Sequence, residues 1–283
     1  MKRRNLWLVG GDERQAILAG LLAEDGHRVQ VYGMERHLCC EPGLDGIGQA
    51  DCVIFPLPAV DGKGNLHMPL SQREVPAGEV LARLCAGQQL LAGKGTPWLR
   101  AMAESRGLVY GDYFEREELA LRNAIPTAEG AIRIAMEALP VTLHGTRVLI
   151  LGFGRLGMAL GPRLCGLGAQ VTVAARRQEQ RAMAAVLNLA AEPVEGLKEW
   201  IHSYDLVINT VPAVVLGVEE LAAMKEGAVV IELASLPGGV DGESASALGV
   251  KVIRAPGLPG KEAPLTAARC LRDTVYSMME SMV

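Results

Sequence analysis

Short apolar runs alternate along this chain with longer segments in which apolar residues recur every three or four positions. The runs are rich in Val, Ile and Leu, which is typical of strands buried on both faces of a parallel sheet. The longer segments have helical periodicity, and several of them end at a glycine. The predicted strands are 6–10, 28–32, 51–56, 89–92, 108–110, 148–151, 170–174, 205–210, 229–233 and 251–254. This alternation predicts an α/β protein with parallel sheets.

The alternation begins a second time after the middle of the chain, and 283 residues are enough for two domains of ordinary size. We therefore predict two doubly wound, Rossmann-like domains with a cleft between them. Residues 1–123 are assigned to an N-terminal substrate and partner domain, and residues 124–262 to a dinucleotide-binding domain. The last segment, 263–283, is an amphipathic helix that we expect to pack back on the first domain.

The composition of the chain argues against nucleic acid, membrane and metal as binding partners. The chain is 49% hydrophobic and 21% charged, with a net charge of −4 and no long basic run, so we expect no nucleic acid partner. No stretch approaches the length of a membrane span. The six cysteines form no Cys-x-x-Cys pair and the five histidines show no metal-ligand spacing. We expect a cytoplasmic protein in a reducing compartment, without a structural metal.

A glycine motif follows the strand at 148–151 and opens a helix. It consists of Gly152, Phe153, Gly154, Arg155, Leu156 and Gly157. Gly152 allows a sharp turn, Gly154 lets backbone N–H groups approach a pyrophosphate, and Gly157 lets the helix pack closely on the strand. The free N–H groups of the helix then face the phosphates. This strand, turn and helix context predicts dinucleotide binding, and a glycine-rich packing turn without a ligand is the alternative.

The end of the next strand favours NADP over NAD. An acidic residue at this point would bind the ribose 2′-hydroxyl of NAD. This chain instead has Arg176 and Arg177 there. A guanidinium binds phosphate through two parallel hydrogen bonds, which suits the 2′-phosphate of NADP. In the alternative interpretation both arginines are ordinary solvated residues that open the next helix.

Three further strands end in loops that should line the cofactor crevice, because ligands bind at the carboxyl ends of strands in such sheets. The cofactor-binding residues predicted in these loops are Thr210, Val211, Pro212, Ala234, Ser235, Pro256 and Gly257.

The sequence also predicts an anion-binding site in the first domain. The turn at 10–15 leads from a strand into a helix, and Arg14 adds a positive charge to the helix N-terminus. We expect this turn to contact substrate, unless it is a plain turn whose Asp12 caps the helix. The glycine- and proline-containing segment 61–76 has no clear periodicity and is expected to be a mobile loop.

A crossover helix over 131–139 is predicted to start near Thr127, with Glu129 in its first turn. Residues at such a crossover would line the cleft. A first-turn position stabilises an ionised carboxylate, which makes Glu129 the best candidate base. Its alternative role is capping this helix.

With these stretches in view, the chain resembles the A-subunit of dipicolinate synthase from spore-forming bacteria. The resemblance is carried by residues 10–15, 114–116, 123–130, 152–157, 208–210 with 212, 233–235 with 237–239, and 255–260. Pro-Thr-x-Glu-Gly within 123–130 and Pro-Gly-Leu-Pro-Gly within 255–260 are far more specific than the glycine motif.

The resemblance implies a dehydrogenase that oxidises a dihydrodipicolinate-type ring to dipicolinate with NADP, for dipicolinic acid biosynthesis during sporulation. It also implies a flavoprotein-like partner, the B-subunit of dipicolinate synthase, and a place in the mother-cell cytoplasm. We further expect a homo-oligomer.

The substrate would be a small dicarboxylate. Its binding and turnover are assigned to Arg14, Arg116, Arg122, Asn123 and Glu129. One alternative is a non-catalytic protein that binds NADP, and another is a dehydrogenase of the alanine or 2-hydroxyacid type. His202 of the second domain is the histidine considered for a hydroxyacid-type acid/base, and the chain lacks a histidine placed like that of the hydroxyacid enzymes.

Overall fold

The computed structural model describes residues 2–282, which divide into two compact units. Unit 1 holds the residues up to Asn123 together with those from Ala263 onward, and unit 2 is Ala124–Glu262. The strands are β1 Asn5–Val9, β2 Arg28–Tyr32, β3 Cys52–Ile54, β4 Gln89–Ala92, β5 Val109–Asp112, β6 Arg147–Leu151, β7 Gln170–Ala174, β8 Ala190–Glu192, β9 Leu206–Asn209, β10 Val229–Glu232 and β11 Lys251–Arg254.

Helices connect these strands. They are α1 Glu13–Glu24, α2 Ala77–Leu81, α3 Pro97–Ser105, α4 Glu117–Ala138, α5 Arg155–Gly166, α6 Gln178–Val186, α7 Leu197–Trp200, α8 Val218–Ala222, α9 Gly242–Ala247, α10 Leu258–Glu262 and α11 Pro264–Ser281. Short 3₁₀ turns lie at Ile47–Gln49, Tyr113–Glu115 and Ile201–Ser203.

Both sheets are parallel throughout. Unit 1 has five strands in the order β2-β1-β3-β4-β5, and unit 2 has six in the order β11-β10-β9-β6-β7-β8. The central strands are buried on both faces, which is why they appear in the sequence as continuous apolar runs. The predicted fold class, with two parallel-sheet α/β domains, is confirmed.

The C-terminal helix α11 completes unit 1. Its apolar stripe, which includes Leu271, Val275 and Met279, joins the cluster formed by Leu18 and Leu22 of α1. At the far end of α1 the hydroxyl of Tyr276 donates a hydrogen bond to Asp25, 2.7 Å away. The prediction that this helix packs on the first domain is confirmed.

The predicted crossover helix was wrong in its start. The helix α4 is 22 residues long and runs through Pro126 without a break. Buried residues recur along it at Leu119, Ala124, Ala128 and Ala131. This continuous stripe keeps the segment helical, although Pro126 lacks the N–H for one helical bond. Thr127 is therefore not an N-cap.

The edge strand β8 was not predicted, because it is only three residues long and contains no apolar run. Within residues 2–282, no helix is both long enough and apolar enough to cross a lipid bilayer.

Candidate functional site

The glycine turn of unit 2 is shaped by steric limits at two of its glycines. Gly152 has a φ of +87°, and a Cβ there would lie 2.7 Å from the Thr210 hydroxyl oxygen. A Cβ on Gly157 would lie 2.6 Å from the carbonyl oxygen of Gly152. Both positions therefore need glycine for the turn to close on the strand and on its neighbour.

Gly154 differs from these two because a Cβ there would meet no atom within 4 Å. It is exposed and it is the N-cap of α5, where no side chain accepts a hydrogen bond from the helix. The first N–H groups of a helix have no partner within the helix. Open space in front of them is what an approaching phosphate requires, so this turn fits a dinucleotide pyrophosphate. Arg155 and Leu156 form the start of the same helix.

The turn is fastened to the next strand exit through Thr210. Its hydroxyl donates to the carbonyl oxygen of Leu151 at 2.8 Å, and its backbone N–H donates to the same oxygen at 3.0 Å. The structure thus brings Thr210 and Val211 against Gly152, as expected for residues at one edge of a parallel sheet. The other predicted loop residues follow β9, β10 and β11 at the same edge, namely Pro212, Ala234, Ser235, Pro256 and Gly257.

A buried polar network holds two of these loops and was missed by the sequence analysis. Glu232 and Asn209 end neighbouring strands and are 3% and 0% exposed. The Asn209 amide donates to Glu232 at 2.8 Å and to the carbonyl of Val211 at 3.0 Å. Glu232 also accepts from the backbone N–H groups of Ala234 and Gly239. A buried carboxylate is stable only with such donors, so this one fixes the loops after β9 and β10.

The predicted ribose end of the site contains two exposed arginines. Arg176 and Arg177 lie at the end of β7, and Arg177 is the residue before α6. An open cavity of about 390 Å³ is lined by Phe153 and Arg177, with Met158, Glu179, Gln180 and Met183. Arg181 donates to the carbonyl oxygens of Ala175 and Arg176 at 2.7 and 2.9 Å, so it shapes this loop.

The turn that follows β1 in unit 1 is built differently. Asp12 caps α1 by accepting from the backbone N–H of Arg14 at 3.1 Å. The Arg14 side chain folds back on the same carboxylate, with its Nη2 2.7 Å from Oδ2, and also donates to the carbonyl of Leu57. The Arg14 side chain is only 14% exposed. The charge predicted for a substrate anion is thus already matched by Asp12.

Segment 61–76 is tied to this edge. Val60 bridges to Leu66 and Asn65 to Pro76. The carbonyl of His67 accepts from the N–H of Gly11 at 2.9 Å, which lays the segment over the β1 turn. His67 is half-buried, and burial lowers the pKa of its imidazole. Because such pairing between loop residues has no periodic signal, the sequence offered no way to place His67.

A further feature that was not predicted lies after β4. Lys94 has a φ of +52°, unusual for a residue with a side chain. The backbone N–H groups of Lys94 and Gly95 both donate to the buried carboxylate of Asp112, at 3.0 and 2.7 Å. The lysine side chain itself is exposed. The only sequence signal was the Gly-Lys-Gly turn.

The remaining predicted catalytic residues are spread along α4 and its approach. Arg116 pairs with Glu118 at 2.8 Å, and Arg122 pairs with Asp273 of α11 at 2.7 Å. Asn123 is half-buried, and Glu129 is exposed. Since α4 begins at Glu117, Glu129 lies in the middle of a helix and the first-turn argument for it does not hold.

The histidine of unit 2 considered for hydroxyacid chemistry is at the wrong edge. His202 lies in the 3₁₀ turn before β9, at the amino end of the sheet, whereas the glycine turn is at the carboxyl end. Among the described residues no group of three or more His, Cys, Asp or Glu side chains could hold a metal ion.

Family models match both halves of the chain. Residues 5–114 match the N-terminal domain of the dipicolinate synthase A-subunit. Residues 122–238 match the NAD binding domain of D-isomer specific 2-hydroxyacid dehydrogenases. Unit 2 is therefore a nicotinamide-dinucleotide-binding domain of the dehydrogenase type, in agreement with the open glycine turn.

Whole-chain relatives point the same way. The dipicolinate synthase A-subunit of Bacillus subtilis (strain 168) is 31% identical, over 96% of this chain and 94% of the relative. The crystal structure of the Bacillus subtilis protein has a TM-score of 0.90 at 31% identity, covering 100% of this chain and 97% of the other. The A-subunit structure from Bacillus halodurans has a TM-score of 0.90 at 29% identity, covering 98% and 97%. The resemblance inferred from the sequence is confirmed, and the chain belongs to the family of dipicolinate synthase A-subunits.

Proposed function

We propose that this chain oxidises a dihydrodipicolinate-type ring to dipicolinate and uses NADP as the cofactor. The observation that carries the proposal is the open N-terminus of α5 behind Gly154, in a chain of the dipicolinate synthase A-subunit family. When bound, the oxidised nicotinamide supplies a hydride acceptor. Loss of a hydride and a proton makes the ring aromatic, so the driving force lies in the substrate.

The residues of unit 2 would hold the cofactor. The backbone N–H groups from Gly154 to Gly157 would bind the pyrophosphate, and Thr210 with the loops after β9 and β10 would shape the rest of the site. The preference for NADP over NAD rests on Arg176 and Arg177, which are exposed at the end of β7. Their planar guanidinium groups suit a 2′-phosphate.

The dicarboxylate has to be held by positive charge, because burying two carboxylates without partners costs several kcal/mol. Arg14, Arg116 and Arg122 stay candidates, although each pairs with a carboxylate of unit 1. Lys94 is a further candidate, since among the described residues its ammonium group has no such partner. Asn123 and Glu129 stay candidates on α4.

The relatives are named as one of the subunits of a synthase, which supports a second kind of protein chain in complex with this one. We propose that this partner is the flavoprotein-like B-subunit of dipicolinate synthase. A homo-oligomeric state and a location in the mother-cell cytoplasm of a sporulating bacterium are predictions of the same family relationship.

The test is the formation of NADPH after the purified chain is mixed with freshly made dihydrodipicolinate, with and without the partner. We expect turnover by the chain alone and none by Gly154→Val. Turnover that appears only with the partner would support a non-catalytic role in NADP binding. Reduction of pyruvate or another 2-oxoacid, without oxidation of dihydrodipicolinate, would support an alanine- or hydroxyacid-type dehydrogenase instead.

A further inference from the structure

His67 lies at the carboxyl edge of the unit 1 sheet, and its backbone is fixed from both sides. Its N–H donates to the carbonyl of Ala59 at 3.2 Å, and its own carbonyl accepts from Gly11 at 2.9 Å. Gly11 belongs to the turn after β1, where φ is +121°. The peptide that follows His67 lies so close to this turn that a Cβ on Gly10 would be 2.7 Å from the Met68 side chain. The backbone position of His67 is therefore set by the fold.

The side chain of His67 has the properties of a proton acceptor. Among the described residues its imidazole makes no hydrogen bond, so a ring nitrogen is available to a ligand. Burial lowers its pKa, while the nearby charges of Asp12 and Asp61 act to raise it and that of Arg14 to lower it. With its pKa below the ordinary value of about 6.5, the imidazole is neutral at neutral pH and so has a lone pair that can accept a proton.

The other histidines lack this combination of place and state. His27 accepts a hydrogen bond from the backbone N–H of Arg4 and lies beside Tyr276, before β2. His144 and His202 precede β6 and β9 at the amino edge of the unit 2 sheet, and His37 is exposed. Glu129 is exposed in the middle of α4, where no helix end stabilises its charge.

We propose that His67 is the catalytic base that takes the proton from the dihydropyridine ring. This inference rests on the proposed function. The ring loses one hydrogen with its C–H electron pair, as hydride, and the oxidised nicotinamide cofactor, when bound, would supply the acceptor. A ring proton passes to the neutral imidazole, and the pair of electrons from that bond completes the aromatic ring. The imidazolium then returns the proton to water.

Steady-state kinetics on His67→Gln, with freshly made dihydrodipicolinate and NADP, gives the first test. The wild-type kcat/KM is expected to fall as pH decreases through the pKa of His67, below about 6.5. His67→Gln should lose this acid limb and lower kcat about a hundredfold or more, the usual contribution of a general base. The matched control is His37→Gln, which replaces an exposed histidine of the same unit. This variant should keep the acid limb and the wild-type kcat. Thermal melts of each variant check that it is folded.

The second test needs no variant and no turnover. In the wild-type chain with isotope-labelled histidine, addition of dipicolinate should shift the His67 resonance and raise its pKa, because two carboxylates come near it. The His37 resonance should not respond. A wild-type pH profile and rate in His67→Gln, with the acid limb lost in Glu129→Gln, would overturn the proposal. A His67 resonance whose chemical shift and pKa do not change on addition of dipicolinate would also overturn the proposal.

The experiments distinguish an error in the role of His67 from an error in the proposed function. A wild-type chain that oxidises dihydrodipicolinate, together with an unaffected His67→Gln, refutes only the role of His67. A wild-type chain that does not oxidise it refutes the proposed function. In that case, the response of His67 to dipicolinate still reports whether this edge of unit 1 binds the dicarboxylate.

Discussion

The first strand of each unit leads through a glycine turn into a helix of 12 residues, α1 in unit 1 and α5 in unit 2. The two helix N-termini are nevertheless in opposite states. That of α1 already has an anion, the carboxylate of Asp12, and a guanidinium closes over it. That of α5 has no side-chain cap, and the space in front of Gly154 is open.

The difference shows how the same strand, turn and helix arrangement can either fill its helix N-terminus with a side chain or leave it open to a ligand. A helix N-terminus attracts negative charge wherever it occurs. Whether it becomes a ligand site depends on whether the chain supplies the anion itself. In unit 1 it does, so the β1 turn has little free positive charge to offer. In unit 2 it does not, and the orphan N–H groups stay available to a phosphate.

The largest effect is expected from closing the open turn. Gly154→Val places a branched side chain where the pyrophosphate would approach, so NADP affinity should fall at least a hundredfold, or about 2.8 kcal/mol. The fold should tolerate the change because a Cβ there meets no neighbour. Gly166→Val, equally free of neighbours at the other end of α5, is the control and should bind normally. Calorimetric titration measures both, and unchanged affinity in a folded Gly154→Val would mean that the turn is only structural.

Next in size is the loss of the buried network behind the open turn. Glu232→Gln replaces an oxygen acceptor by an amide donor amid three donors, which should lower the free energy of unfolding by about 1–3 kcal/mol. Glu226→Gln, at an exposed position before β10, should change it little. Glu232→Gln should lower the binding affinity for NADP more than the affinity for 2′,5′-ADP, which lacks the nicotinamide half. Equal urea midpoints for the two variants would rule out a supporting role for Glu232.

A smaller effect concerns the choice of cofactor. If Arg176 and Arg177 bind a 2′-phosphate, the parent chain should bind NADP at least tenfold more tightly than NAD, about 1.4 kcal/mol. Arg176→Asp should reverse the order, because a carboxylate repels the phosphate and accepts from a ribose hydroxyl. Arg269→Asp makes the same charge change at an exposed position of unit 1 and serves as control. Equal affinities for the two cofactors in the parent would refute the assignment.

The smallest effect comes from opening the filled turn of unit 1. Asp12→Ala removes the N-cap of α1 and should cost about 1 kcal/mol of stability in urea unfolding. Asp12→Asn keeps an acceptor for the Arg14 N–H but loses the ion pair. It should cost less, because a partly exposed pair contributes little. If both substitutions cost the same, the ion pair rather than the cap would be the stabilising contact.

The features that could be predicted from the sequence are those that depend on residues close together in the chain. Buried parallel strands must be apolar runs and a phosphate turn must be glycine-rich, so the sheets and the α5 turn were both visible. The start of α4 was not, because its buried stripe continues through Pro126 and outweighs the proline signal. The short edge strand β8 had no apolar run to reveal it.

The polar parts of the candidate site were harder still. Asn209 and Glu232 are 23 residues apart and meet only because their strands are neighbours. Arg14 was visible as a charge, but its partner Asp12 was considered only as a helix cap. The location of His67 depends on how segment 61–76 folds back on Gly11, which no periodicity encodes.

Unit 1 is assembled from two segments that flank unit 2 in the sequence, and this has a consequence for biosynthesis. The apolar face of α1 is covered by α11, which is synthesised after the whole of unit 2. Unit 2 is continuous in sequence and can fold before unit 1 is complete. Until α11 is synthesised, Leu18 and Leu22 lack this cover, so we expect the nascent first segment of unit 1 to need chaperone protection for longer than unit 2.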